Sequence, residues 1–202
     1  MRIITGKAKG VRLVTLPGDA VRPTTEMAKE GIFSAIQFDL AEKTFLDLFA
    51  GSGQMGLEAI SRGAKSAVFV DASEDSVKIV RRNVEKTGFG LQSKVIRSEY
   101  GEFIKSAGKR GMKFDFIFAD PPYVKDLTPE LVKRLVRADL LNPGGLMMLE
   151  TAADDLDERK IPEGVREKIR SIKKYKFSKC YVYFVKMKSD DDEEDIDPSW
   201  EL

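Results

Sequence analysis

From residue 44 onward the apolar positions alternate between two rhythms. Short apolar runs, "TFLDLF" (44–49), "SAVFVD" (66–71), "SKVIRS" (93–98), "FDFIFA" (114–119) and "GLMMLE" (145–150), read as buried strands. The stretches between them carry helical spacing. Residues 54–62 form a helix that stops at Gly63, and Ser73 caps a helix with Val77, Val80 and Val84 on one face, stopped near Gly88. A short helix follows near 100–107, and Thr128-Pro129 opens another with Leu131, Leu135 and Val136 turned inward. Strands joined by helix-length connections are βαβ units, so the sheet is mostly parallel with helices on both faces. Residues 169–177 and 180–188 read as a closing antiparallel hairpin after the "NPGG" turn and the fifth strand. The fold class is therefore α/β and Rossmann-like, with a C-terminal antiparallel hairpin.

Ahead of this unit, residues 2–5 and 11–16 flank "GKAKG" and read as a small β-hairpin. A helix of roughly 25–38 follows "RPTT" (22–25), with Thr24 or Thr25 as N-cap and Ile32, Phe33 and Ile36 as its buried stripe. Three regions result: the hairpin extension at 1–20, the α/β domain at 21–188, and a tail at 189–202.

Charge changes the picture in one respect. The 202 residues sum to +1, but residues 189–202 hold eight acids and no base. The rest has 34 bases against 25 acids, a net of +9. The tail reads as disordered and the folded part as basic enough for a polyanionic partner. One cysteine, Cys180, offers no disulfide framework and fits a reducing, cytoplasmic setting, and no apolar run reaches membrane-spanning length. With no histidine at all, Ser-His-Asp and Cys-His catalysis are excluded, and a zinc site is argued against. The chemistry must run on carboxylates, backbone groups or a cofactor, with no metal expected.

In such sheets ligands bind beyond the C-terminal ends of the strands. The first strand ends in "DLFAGSGQMG" (47–56), which contains G-x-G-x-x-G at Gly51, Gly53 and Gly56, and Asp71 ends the second strand 20 residues after Gly51. This is a fingerprint for an adenosine-bearing ligand, with the acid on the ribose hydroxyls. A nicotinamide dinucleotide fits the pattern. However, Asp47 four residues before the first glycine would repel a pyrophosphate and welcome an ammonium and a sulfonium, which favours S-adenosylmethionine. Asp47 could also be only a strand-end residue bonded to loop amides. Glu99, at the end of the third strand in "RSEY", could accept from an adenine amine or satisfy a helix start.

The fourth strand ends in Asp120-Pro121-Pro122-Tyr123. An exocyclic base amine is a poor nucleophile because its lone pair is delocalised into the ring. Two acceptors on its N–H groups, the Asp120 carboxylate and the Pro121 carbonyl, would turn that lone pair out of plane. Consecutive prolines present carbonyls without N–H groups and hold them rigidly. Tyr123 would stack on the base, a contact worth about 1–3 kcal/mol.

"MRIITGKAKGVRL", "RPTTEMAKEGIF", "FLDLFAGSGQMGLEAISRGA" and "FIFADPPY", in this order, resemble the RsmD family, guanine-N2 methyltransferases of bacterial small-subunit ribosomal RNA. The resemblance runs from residue 1 to about 188. It implies a class I S-adenosylmethionine-dependent methyltransferase that methylates a guanosine amine of 16S rRNA, within the small subunit or an assembly intermediate. It implies that Asp47, Gly51 and Gly53 belong to the cofactor loop with Ala50 and Ser52. Asp71, with Ala72 beside it, matches the ribose acid, and Asp120 to Tyr123 match the catalytic motif. Arg22 and Thr24 match a segment folded near the cofactor. Glu99, followed by Tyr100, stands where the family often has Asn or Asp.

Arg2, Lys7, Lys9 and Arg12 put four cations and no acid on the N-terminal hairpin, a candidate phosphate grip. The second basic run, "REKIRSIKKYKFSK" (166–179), alternates Lys174 and Lys176 with Tyr175 and Phe177 and reads as a half-buried strand with a solvated face. We expect a monomer. The alternatives to the rRNA enzyme are a DNA adenine or cytosine amino-methyltransferase, which shares DPPY but for which the chain lacks a target-reading domain, and an NAD-dependent oxidoreductase, which leaves DPPY unexplained.

Overall fold

The computed structural model describes residues 1–15, 23–122, 127–152, 154, 156–177 and 180–193. Its seven strands are β1 (Thr44–Leu48), β2 (Ser66–Asp71), β3 (Ser93–Arg97), β4 (Phe114–Ala119), β5 (Leu141–Thr151), β6 (Ile169–Phe177) and β7 (Cys180–Met187). They form one sheet in the order β3-β2-β1-β4-β5-β7-β6. Pairing is parallel from β3 through β5, and antiparallel where β7 meets β5 and β6. This is the class I methyltransferase arrangement. The order reverses between β1 and β4, so the crevice beyond Leu48 and Ala119 is the topological switch point where such sheets take ligands.

Helices α1 (Pro23–Ile36), α2 (Gln54–Ser61), α3 (Glu74–Thr87), α4 (Tyr100–Lys109), α5 (Leu127–Arg137) and the one-turn α6 (Glu163–Arg166) cover the sheet. One face packs Ile32, Phe33, Leu57, Ile60 and Val80 onto Phe45, Phe69, Phe118 and Met148. The other packs Ile104, Leu131, Val132 and Leu135 onto Leu46, Ile117, Met147 and Leu149. The alternation of 45/46, 117/118 and 147/148 between the two clusters is the two-residue period of a sheet buried on both sides. Ser73 accepts from the Ser76 N–H at 3.3 Å, and Gly88 ends α3 in the left-handed region, as the spacing predicts.

Three expectations need correction. The first helix begins at Pro23, so Thr24 and Thr25 lie inside it and neither is its N-cap. The "NPGG" turn does not precede the fifth strand but interrupts it. Phe114 pairs with Leu141 and Phe116 with Leu146, so the sheet continues on both sides of an irregularity. Among the described residues the N-terminal hairpin has one antiparallel bridge, Arg2 with Arg12, because the amides of Ile4 and Thr5 bond to a side chain instead of a partner strand. Ile3, Ala8 and Leu13 bury into the same core as α1 and α2. The acidic run opens with a 3-10 turn at Asp190–Glu193, where Asp192 accepts from the Ser189 N–H at 2.8 Å and pairs with Arg170 at 2.9 Å; residues 194–202 lie outside the described residues.

Candidate active site

The glycine turn sits between β1 and α2 and is fastened by the two acids that the sequence singles out. Asp71 accepts the Gly51 N–H on Oδ2 and the Ser73 N–H on Oδ1, both at 2.8 Å. Asp47 is buried and accepts the Gly56 N–H at 2.9 Å. The loop-amide reading of Asp47 is thus satisfied, and its remaining lone pairs leave the functional reading in place. Gly53 caps α2 at φ 76, a conformation that a side chain adopts only with strain. A Cβ on Gly56 would lie 2.4 Å from the Phe69 ring, so that glycine is what lets α2 approach the sheet. Ala50 is buried and donates to the Val70 carbonyl at 2.9 Å. Ser52 is also buried and directs its hydroxyl to the Met1 sulfur at 3.3 Å.

The acids crowd one another. Burial, then the charges of Asp71 and Asp120, push the Asp47 carboxyl up to about 7 against the pull of the Gly56 N–H. Asp120 is open to solvent but closely surrounded by protein, as in a recess. That loss of hydration, and then the charge of Glu150, push its carboxyl up to about 7. Glu150 is itself raised by burial, opposed by a hydrogen bond with Cys180. Burial and Glu150 in turn push the Cys180 thiol up to about 12. Among the described residues, no base figures among the charges acting on Asp47 or Asp120.

Asp47 also sets a pH dependence. Its carboxyl titrates near 7 in the folded protein and near 4 in the unfolded chain. The unfolded chain therefore releases its proton first as pH rises, and folding stability falls between pH 4 and 7. In Asp47→Asn, which keeps an acceptor for Gly56, thermal melts of the ligand-free protein should vary less over that range. A slope as steep as that of the parent would show that Asp47 is not the titrating group.

The other predicted residues divide. Glu99 is the N-cap residue of α4, where its carbonyl accepts the Phe103 N–H at 2.9 Å, but its side chain is exposed and satisfies no backbone N–H there. Ala72 is exposed beside Asp71. Tyr100 packs on Phe49, which enters the glycine turn, with ring centroids 5.1 Å apart, and lies 5.8 Å from the Arg134 guanidinium. Pro121 is buried and Pro122 exposed next to Asp120. Arg22, Tyr123 and the side chain of Thr24 lie outside the described residues. Arg2, Lys7, Lys9 and Arg12 are all exposed. Arg2 and Arg12 face each other across their bridge, a repulsive pairing that an anion between them would relieve.

Sequence reasoning missed several residues here. Phe49, directly after β1, holds φ 69, a strained conformation for a bulky residue at the mouth of the switch point. Glu58, fully buried on α2, accepts the Ile4 N–H at 2.8 Å, the Thr5 N–H at 3.0 Å and Arg62 Nε at 2.8 Å, with Lys29 Nζ at 3.6 Å. Ser61 adds bonds to the Thr5 carbonyl and the Ala8 N–H. Asn83 on α3 binds both the N–H and carbonyl of Val14 and donates to the Ser52 carbonyl at 2.8 Å, joining the N-terminal segment to the glycine turn. The available signal was a charged or amide residue inside an apolar stripe, as in "GLEAI" and around Val80 and Val84.

Comparison with known proteins fixes the lineage. Residues 1–185 match the family described as Conserved hypothetical protein 95. The chain belongs to that family. Its relatives include YlbH of Bacillus subtilis, named as a candidate rRNA methyltransferase, 35% identical over 150 residues spanning 74% of this chain and 82% of YlbH. Ribosomal RNA small subunit methyltransferase D of Haemophilus influenzae is 31% identical over 155 residues, 76% of this chain and 80% of that one. Among solved structures, a candidate methyltransferase of Escherichia coli, yhhF, superposes with a TM-score of 0.76 at 24% identity over 94% of this chain and 98% of that one. A Thermus thermophilus 16S rRNA N2 G1207 methyltransferase, solved with AdoMet and guanosine, superposes with a TM-score of 0.67 at 21% identity over 86% of this chain and 45% of that one. These two likenesses give this member of the Conserved hypothetical protein 95 family its fold class.

Proposed function

We propose that this protein is an S-adenosylmethionine-dependent methyltransferase that methylates the exocyclic N2 amine of a guanosine in small-subunit ribosomal RNA, in the cytoplasm. The observation that carries the reading is the cluster Asp47, Asp71 and Asp120 around the glycine turn at the switch point, with no base of the described residues among the charges acting on Asp47 or Asp120. A nicotinamide dinucleotide would set its pyrophosphate against those carboxylates. An amino-acid ammonium and a sulfonium are matched by them.

The donor set suits that ligand. Asp71 spends one lone pair of each oxygen on loop amides and keeps others for ribose hydroxyls. S-adenosylmethionine supplies a methyl group on a positively charged sulfur, so the acceptor needs positioning more than a strong base. Asp120 and the Pro121 carbonyl receive the two N–H groups of the base amine and turn its lone pair outward, with Tyr123 as the stacking partner. The amine proton then passes to Asp120, whose carboxyl near 7 and neighbour Glu150 suit it to take and return a proton at neutral pH. The names of the relatives, and the cations on the N-terminal hairpin, support ribosomal RNA as the acceptor.

The test is to incubate the protein with labelled S-adenosylmethionine and bacterial small subunits lacking the modification, then map the methylated nucleotide. A single N2-methylguanosine is expected; label on adenine, or none despite bound cofactor, overturns the substrate. Asp71→Ala should lower S-adenosylmethionine affinity about ten- to hundredfold, the loss of charge-assisted bonds worth about 1.5–3 kcal/mol. Titration calorimetry reads this directly, and unchanged affinity would remove Asp71 from the ribose.

A further inference from the structure

The edge strand β6 bears on the same site. Ala119 of β4 is in register with Leu149 of β5, so Asp120 and Glu150 occupy the next position on the two strands. Glu150 pairs with Val182 of β7, and Val182 with Tyr175 of β6. Paired residues project to one face of a sheet. Asp120, Glu150, Val182 and Tyr175 therefore form a single row, with Tyr175 three strand spacings, roughly 14 Å, from Asp120. Sequence alternation reads Tyr175 as the inward side of a half-buried strand, but the residue is 43% exposed. It rests edge-on against Phe184, with centroids 5.0 Å apart and planes at 72°, which fixes its orientation.

Around it the strand is wholly basic. Ile169–Phe177 contains Arg170, Lys173, Lys174 and Lys176 and no acid. Lys174 is held by Asp154 at 2.5 Å and Arg170 by Asp192 at 2.9 Å. Lys173, on the face of Tyr175, and Lys176, on the opposite face 5.5 Å from the Tyr181 ring, are exposed and form no ion pair among the described residues. Lysines on an edge strand also deter strand-to-strand pairing, but that role gains nothing from an exposed tyrosine between them. A fixed aromatic flanked by unpaired cations, in line with the site of chemistry, is the pattern of a single-strand nucleic-acid contact.

We propose that the Lys173–Lys176 end of β6 is a second RNA contact. Tyr175 stacks on a base about four stacked nucleotides from the one held at Asp120, and Lys173 and Lys176 take neighbouring phosphates. This rests on the reading of the protein as an RNA methyltransferase. The test uses the full chain and a labelled single-stranded RNA oligonucleotide of mixed sequence, followed by anisotropy across a salt series. Tyr175→Ala should weaken binding roughly five- to hundredfold, and Tyr175→Phe should retain it. Lys173→Gln with Lys176→Gln should reduce the slope of log affinity against log salt by about 1.4. S-adenosylmethionine affinity should stay as in the parent, and the melting temperature within a few degrees of it, the loss of the Phe184 contact in Tyr175→Ala being the largest cost. Parental RNA affinity and salt slope in these variants overturn the contact, as does weakened binding to duplex DNA with single-stranded RNA binding unchanged. Failure of the parent to bind S-adenosylmethionine would instead count against the proposed activity, and the RNA titration reads independently of it.

Discussion

Asp120→Ala should lower methyl transfer by about 10²–10³-fold while S-adenosylmethionine binds within a few-fold of the parent. The factor is that of removing one preorganised partner from a developing charge. The side chain is exposed in its recess and makes no hydrogen bond among the described residues, so its removal leaves no buried group unpaired. It also removes a like charge from Asp47, so the ligand-free variant should melt no lower than the parent at pH 8. Asp120→Asn keeps one acceptor and should fall between the two in rate. In the parent the rate should rise with pH, because only the carboxylate accepts from the amine, and the positive charge of the bound cofactor should set the midpoint below the value near 7 of the ligand-free site. Single-turnover assays with saturating cofactor measure both effects; transfer at the parental rate in Asp120→Ala would end the assignment of Asp120.

Glu58→Ala should cost about 3–5 kcal/mol of folding stability, the range for removing one partner from a buried ionic cluster. The change strands the amides of Ile4 and Thr5, and it leaves Lys29 and Arg62 without their counter-charge. Burial already lowers the Lys29 pKa, so losing Glu58 drives this lysine further toward its neutral form. For a chain of this size the loss lowers the melting temperature by about 6–20 °C. Glu58→Gln retains an acceptor without the charge and should lose less. Urea unfolding of the three proteins gives the comparison, and a loss under about 1 kcal/mol in the alanine variant would show that the N-terminal segment is held without Glu58, by its apolar contacts and by Ser61 and Asn83.

What could be read along the chain was whatever is decided locally. The strand–helix alternation, the Ser73 cap, the Val77, Val80 and Val84 stripe and the glycine turn each depend on residues within a few positions of one another. The acids at the strand ends were legible for the same reason, because chain order alone places them at the switch point. Glu58 and Asn83 were not, because their partners in the N-terminal segment lie 53 to 69 residues away. The hairpin's strands were overread because apolar alternation does not say whether a backbone amide will find another strand or a carboxylate. Glu150 and Tyr175 gain their meaning only from cross-strand register, which no single stretch encodes. The left-handed Phe49 carries no composition signal of its own.

The crowding of carboxyls around the glycine turn has a consequence for how binding itself is registered. Asp47 and Asp120 each hold a proton part of the time near neutrality. A cation settling among them favours their ionised forms, so its arrival expels protons into the medium. The affinity of the site for a positively charged ligand therefore climbs with pH across neutrality, and the heat of binding includes the ionisation heat of whatever buffer receives those protons.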